Sequence, residues 1–333
     1  MVKVVIVGCG FMGETHAAGY AESKNAEIVG FVDVVAKARK RLAGRFGGRD
    51  YVSLEEALAA EEADAVDICL PTDLNHYHVR TAARAGKHVM LEKPIALDLA
   101  TADAIIRHVR RKKLVFMVGH VLRFWPEYVA MKKLVDSGRL GKVVTAEAVR
   151  LCQSPVWSPW FLEPKRGGGG ILNLGIHDID FLNWLFGRPR TVFAAGEKVR
   201  GSVYHDLETL LVYPKGVAAS VKTCMTMPKG YPFTMMLRVR GTKGTVEFIF
   251  RAGGNLETRG GAQSEFMFYP EKGRPVRPKV KAADGYKEEV AYFVKCVKSG
   301  KQPETATGAD ARLALKVALT AVESAKTGRA LRG

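Results

Sequence analysis

At 333 residues, with 47% hydrophobic and 26% charged side chains, the chain has material for two domains with full cores, which excludes a disordered or fibrous protein. No apolar run approaches the ~20 residues of a membrane span, and a strand pattern starts at once from the N-terminus, so neither a membrane protein nor an exported one is expected and a cytoplasmic location is. The net charge of +17 is uneven, +2 over residues 1–120 and +15 beyond, which suits either an anionic small-molecule partner or a general surface bias.

Val2 to Val7 is a β-branched run followed directly by Gly8-Cys9-Gly10-Phe11-Met12-Gly13 and a helix from about Gly13 to Glu22. That is the strand, glycine turn and helix of a dinucleotide site, with Gly8 for the tight turn, Gly10 for close approach of the backbone to pyrophosphate and Gly13 for helix packing. The next strand, Ile28 to Val32, ends in Asp33, 20 residues after Gly13, the spacing of a carboxylate that holds a ribose 2′-OH. A 2′-phosphate would set its negative charge against Asp33, so NAD is expected over NADP; Lys37 and Arg39 speak against this, since a basic residue a turn further on can reach a phosphate.

Helices at Ala36 to Phe46 and Leu54 to Ala59 and a buried strand from Ala65 to Leu70 continue an α/β alternation that reads as a doubly wound parallel sheet. Pro71, Thr72, Asn75 and His76 follow that strand, where strand ends meet ligands, and are candidates for the cofactor crevice. His76 and His78 point to different faces of a helix start, so no metal site is expected. A helix from His78 to Ala85 leads to the strand Lys87 to Leu91, which ends in Glu92-Lys93-Pro94. A lysine there is either an acid–base group beside the substrate or an ordinary loop cation. The basic run Arg107 to Lys113 fits a solvated helix end. The five cysteines, Cys9, Cys69, Cys152, Cys224 and Cys296, are odd in number and scattered, which suggests buried thiols in a reducing compartment.

Phe116 to Val118 closes this part, and Gly119 to Pro126 crosses into a second one. After a helix from about Glu127 to Ser137, period-two patterns at Val143 to Arg150, Val192 to Val199, Glu208 to Val212, Val217 to Thr223, Thr234 to Val239 and Thr245 to Ile249 read as a meandering antiparallel sheet. Trp157, Trp160 and Phe161 form either an apolar wall for a sugar ring or a pin for their loop. Lys165 and Arg166 are either contacts for an anionic substrate group or exposed charges. Gly167 to Gly170 free the backbone to approach a ligand, and the helix-spaced residues after them carry Asn173 and His177 at i and i+4. Gly253 to Gly261 and Glu271 to Lys281 are polar surface segments, and an amphipathic helix spans Ala309 to Lys326.

Taken in order, Gly8-x-Gly10-x-x-Gly13, Glu92-Lys93-Pro94 and the glycine run with Asn173-x-x-x-His177 resemble the Gfo/Idh/MocA family, named for glucose-fructose oxidoreductase, inositol dehydrogenase and a rhizopine-catabolism protein. The resemblance covers nearly the whole chain. It implies a Rossmann domain over 1–120, a substrate-binding and oligomerisation α/β domain with a large, open, mostly antiparallel sheet over 121–308, and a C-terminal helix, 309–333, packed back on the Rossmann domain. It further implies Lys93 and His177 as catalytic residues, Glu92 beside the nicotinamide ribose, His120 and Arg123 as substrate contacts or domain-junction pairs, and homodimers or homotetramers formed through the sheet. Where sugar and inositol dehydrogenases of the family carry Asp four residues before the histidine, this chain has Asn173, which can hydrogen-bond an imidazole or a substrate hydroxyl but cannot balance an imidazolium. Asp178 and Asp180 are then partial substitutes or structural pairs.

The expected function is an NAD-dependent dehydrogenase acting on a secondary alcohol of a sugar, cyclitol or sugar derivative. The alternative is a non-catalytic NAD-binding sensor of the same fold. A nucleic-acid binder lacks any supporting motif beyond charge.

Overall fold

The computed structural model describes residues 1–155, 159–199, 203–252 and 261–333; Trp157 and most of the Gly253 to Gly261 segment lie outside them. The chain divides into two compact units, Met1–Trp125 with Ala283–Arg312, and Pro126–Ala282 with Leu313–Gly333.

In the first unit, β1 (Val2–Val7), α1 (Phe11–Glu22), β2 (Ala26–Val32), α2 (Ala36–Phe46), β3 (Arg49–Tyr51), α3 (Leu54–Ala60), β4 (Ala65–Ile68), α4 (Asn75–Arg84), β5 (His88–Glu92), α5 (Leu99–Arg111) and β6 (Phe116–Gly119) alternate along the chain. The strands build a six-stranded sheet of order β3-β2-β1-β4-β5-β6, parallel throughout, as the apolar runs predict for strands covered on both faces. The strand order reverses between β1 and β4, so the C-terminal ends of β1, β4 and β5 open side by side on one edge, at the switch point where doubly wound sheets take ligands.

The second unit contains α6 (Pro126–Asp136), β7 (Val143–Gln153), α7 (Ile176–Phe186), β8 (Thr191–Val199), β9 (Val203–Val212), β10 (Ala218–Met227), β11 (Phe233–Gly241), β12 (Gly244–Ala252) and β13 (Gln263–Pro270). The remaining elements are α8 (Gly285–Ser299), α9 (Gly308–Thr327) and β14 (Leu331–Arg332). The second sheet has eight strands, β13-β12-β11-β7-β10-β9-β8-β14. It is mostly antiparallel, but β7 and β10 pair in parallel, so it is not the simple meander expected from the alternation alone. One face packs on α6 and α7 through edge-on aromatic contacts, with Tyr128 4.8 Å from Phe181 and 5.6 Å from Phe248. The alternate residues carry charge, as in Arg238 with Glu147 (2.7 Å) and Lys222 with Glu208 (2.9 Å).

From Ala283 onward the chain departs from the expected division. The helix docked on the first unit is α8, whose Val290, Phe293 and Val294 join Val4, Ile6, Ala17 and Tyr20 in one core. From Leu313 the chain belongs with the second unit instead. There the Ser324 hydroxyl accepts the Ala194 N–H at 2.9 Å and β14 adds to the edge of β8. The reason is where apolar surface lies: α8 presents large apolar side chains at i, i+3 and i+4 that only a deep core can bury. Among the described residues no helix is long and apolar enough to cross a membrane.

Candidate active site

The glycine turn is built as its spacing predicts. Gly8 has φ +95°, and a Cβ there would lie 2.3 Å from the Cys69 carbonyl oxygen; one on Gly13 would lie 1.8 Å from the Gly8 oxygen. A Cβ on Gly10 would meet nothing within 4 Å, so that side of the turn is open. Helix α1 starts at this opening with no side-chain cap, leaving its first amides and the positive end of its dipole for an anion, and Phe11 and Met12 stand half-buried in its first turn. Asp33 sits beside it, its carboxylate accepting the Cys9 and Val35 amides, each at 2.8 Å. Arg39, a candidate for a 2′-phosphate, is committed to Asp50 (3.0 Å) and to the Asp33 carbonyl (3.2 Å). These features fit a dinucleotide without the extra phosphate. An open cleft of about 380 Å³ lined by Met1, Asp64, Lys87 and His88 lies at the opposite ends of the strands and is not part of this site.

Two strands along, β5 ends in the buried Glu92 and the half-buried Lys93, joined to Pro94 by a cis peptide. Glu92 folds back so that one oxygen accepts the Lys93 amide at 3.1 Å. Asn75, a crevice candidate, is tied to this turn. Its buried amide donates to the Pro94 carbonyl at 3.0 Å and so fastens this turn, beside the half-buried Pro71 and the buried Thr72. His76 falls about 100° round the helix from Asn75 and meets His108 of α5, with Nε2 atoms 3.3 Å apart.

A buried cluster beneath this turn was not foreseen. His16 of α1 places Nδ1 2.9 Å from Asp67 and Nε2 3.2 Å from Glu92, and Glu289 of α8 closes on His16 and Glu92, with ligand atoms of all three within 4.8 Å. Burial alone would lower the His16 pKa, but the Asp67 carboxylate and its hydrogen bond outweigh it and hold the imidazole well above 6.5. The group has the composition of a metal site; Nδ1 is hydrogen-bonded with Asp67, and a Glu92 oxygen lies 3.2 Å from Nε2 as an ion-pair contact. Sequence signals existed: Asp67 is a charge within an apolar strand, and His16 lies one helical turn after Gly13 on the same inward side.

His120 is buried. Arg123, read as a substrate contact or a structural pair, is buried and paired with Asp310 (3.3 Å) and the Thr305 hydroxyl (3.2 Å). Both partners come from the segment before α9 and its first turn, a long-range contact that spacing cannot reveal.

In the second unit, Ile171–Gly175 forms one turn of π-helix leading into α7, a rare widening often found at functional sites. Asn173 is buried there, and its amide donates to the carbonyls of Gly167 (2.6 Å), Gly169 (3.1 Å) and Phe161 (3.4 Å). Through these N–H groups it clamps the glycine loop. The glycines serve packing as well, since a Cβ on Gly170 would lie 2.8 Å from the His205 oxygen and one on Gly167 2.6 Å from the Phe161 oxygen. His177 is half-exposed at the start of α7. The next residue, Asp178, is fully buried and bound by Arg150 through two hydrogen bonds, so it is a structural pair. Trp160 stacks on Phe161 at 4.1 Å and remains partly exposed, and Lys165 is exposed.

Comparison with known proteins covers both units. The family model described as the oxidoreductase family with NAD-binding Rossmann fold matches residues 2–120, and that of the GFO/IDH/MocA C-terminal domain matches 128–247. The chain is 29% identical to inositol 2-dehydrogenase of Rhizobium meliloti, over 97% of this chain and 96% of that one. It is 26% identical to scyllo-inositol 2-dehydrogenase (NAD(+)) of Bacillus subtilis, over 98% and 95%. The crystal structure of an aldose-aldose oxidoreductase from Caulobacter crescentus superposes with a TM-score of 0.87 at 22% identity, covering 100% and 99%, a likeness of fold. With a dinucleotide turn, a lysine turn on the same sheet edge and both domain models matched in order, the chain belongs to the Gfo/Idh/MocA family of NAD-binding oxidoreductases.

Proposed function

We propose that the enzyme moves hydride between NAD and a secondary-alcohol carbon of a sugar or cyclitol, with Lys93 exchanging the hydroxyl proton. The observation that carries this reading is the placement of Lys93 at the C-terminal end of β5, on the sheet edge where β1 presents the glycine turn. The substrate class is drawn from relatives named for inositol. Bound NAD supplies the hydride acceptor or donor. Gly8, Gly10 and Gly13 with Phe11 and Met12 would form the pyrophosphate cradle, Asp33 would accept a ribose hydroxyl and disfavour NADP, and Glu92 would lie by the second ribose. Thr72 and Pro71 would border the same edge. His177 is proposed as a second proton-handling group, His120 as a polar contact, Trp160 as an apolar wall for a ring and Lys165 as a contact for an anionic substituent.

The exposed Phe193 and Leu210, paired across β8 and β9, support self-association through the sheet into dimers or tetramers, which light scattering tests. A cytoplasmic setting is consistent with five free thiols.

The test is reduction of NAD and of NADP by the purified protein with myo-inositol, scyllo-inositol and D-glucose. Turnover with NAD is expected, and Lys93→Ala should cut it by about 10²- to 10⁴-fold while NADH still binds. Preference for NADP, no turnover of any of these polyols, or a fully active Lys93→Ala variant would overturn the reading.

A further inference from the structure

Four side chains from four elements meet in the core of the first unit: His16 from α1, Asp67 from β4, Glu92 from β5 and Glu289 from α8, the most exposed of them 6% accessible. Burying ionisable groups is costly unless they are paired, and a buried ionic group seldom adds net stability over apolar side chains of the same size. Such a group is therefore better explained by what it orients than by what it stabilises. Here it has one direction: Asp67 meets the His16 Nδ1 at 2.9 Å, the Nε2 meets one Glu92 oxygen at 3.2 Å, and the other Glu92 oxygen accepts the Lys93 amide at 3.1 Å. Gly119, facing Glu92 across β6, leaves room for that carboxylate, since a Cβ there would lie 2.7 Å from its oxygen.

We propose that His16 is a positioning residue for Lys93: oriented by Asp67, its ring fixes the Glu92 carboxylate, and Glu92 fixes the peptide from which the Lys93 side chain projects. With a carboxylate against each ring nitrogen, Asp67 in a hydrogen bond and Glu92 in an ion-pair contact, the ring serves them as an imidazolium. Every titratable group facing it from the packed elements favours that form or is neutral, namely Asp67 on β4, the Cys69 thiol just after that strand, Glu92 on β5 and Glu289 on α8. The catalytic consequence rests on the acid–base role proposed for Lys93 above; the geometric one does not.

Two measurements test it. In the first, His16→Gln is assayed with NAD and whichever of the three polyols is turned over. Turnover should fall by about 10²-fold, the scale of a small misplacement near the chemistry, with the polyol KM unchanged. There should be no further loss when the change is made in Lys93→Ala. In the second, reductive ¹³C-methylation of lysines is followed by NMR, and the Lys93 signal and its titration midpoint should move in His16→Gln. Gly119→Ala, which displaces Glu92 without touching the ring, should reproduce both effects and stands in if His16→Gln fails to fold. An unmoved Lys93 signal in a folded variant, or a loss of turnover equally large with and without Lys93, overturns the proposal. A fully active Lys93→Ala rejects the acid–base role alone, and the Lys93 signal then still decides the positioning.

Discussion

Arg150 of β7 holds Asp178 of α7 through two hydrogen bonds, Nε to Oδ2 at 2.7 Å and Nη2 to Oδ1 at 2.8 Å, and the same guanidinium reaches the Tyr128 hydroxyl at 3.3 Å. All three side chains are buried, so removing one partner leaves a charge without compensation. Asp178→Ala or Arg150→Ala should each cost about 3 to 5 kcal/mol in urea unfolding, whereas Arg150→Met combined with Asp178→Leu should recover much of that loss. Single variants within about 0.5 kcal/mol of wild type would show that the pair is dispensable. Since His177 adjoins Asp178, the pair also sets where that imidazole starts.

Asn173 faces three carbonyl oxygens as a donor. Asn173→Asp would therefore set a carboxylate against them, even though it restores the residue that the family resemblance leads one to expect. The expected result is a lower melting temperature and weaker polyol binding, not faster turnover. A rise in kcat at unchanged stability would return Asn173 to a proton relay.

The glycines of the turn should separate by role. Gly13→Ala forces a methyl to within 1.8 Å of the Gly8 oxygen and should disrupt the fold of the first unit. Gly10→Ala meets nothing and should melt like wild type, yet lose NADH affinity in a fluorescence titration, because its methyl enters the proposed phosphate space. Equal NADH affinity in a folded Gly10→Ala variant would place the pyrophosphate elsewhere.

The His16 pKa, held well above 6.5, gives a signed pH dependence. Below about 6.5 the folded and unfolded chains both carry the proton, so the stabilisation is present in full; above it the unfolded chain releases the proton first, and the contribution is lost as pH rises through the folded value. The stability gap between wild type and His16→Gln should narrow from pH 6 towards alkaline pH. A gap that widens over that range would mean that the ring is neutral.

The thiols should be slow to react. Burial, and then the Asp33 carboxylate, push Cys9 up to about 12, and burial, and then Cys224, do the same for Cys152. At pH 8 a disulfide reagent should label the native protein slowly and all five cysteines once it is denatured. Immediate labelling of Cys9 in the native state would show the glycine turn to be open at that residue.

What the sequence determined alone is what depends on neighbours along the chain. The strand, the glycines, the helix and Asp33 lie within one βαβ unit, where steric clearance at Gly8 and Gly13 and a helix end without a cap leave few other structures. Alternation likewise marked most strands of the second sheet, because the pleat repeats every two residues. Tertiary structure decided which way the polar side chains point. Asn75 and Asn173 clamp carbonyls, Arg123 pairs with Asp310, and His16, Asp67, Glu92 and Glu289 meet from positions up to 273 residues apart. It also decided that β7 and β10 run parallel and that α8 covers the first unit. The physical reason is that a buried polar group takes whichever partner the packed chain brings within reach, and that partner is set by the whole fold and not by spacing.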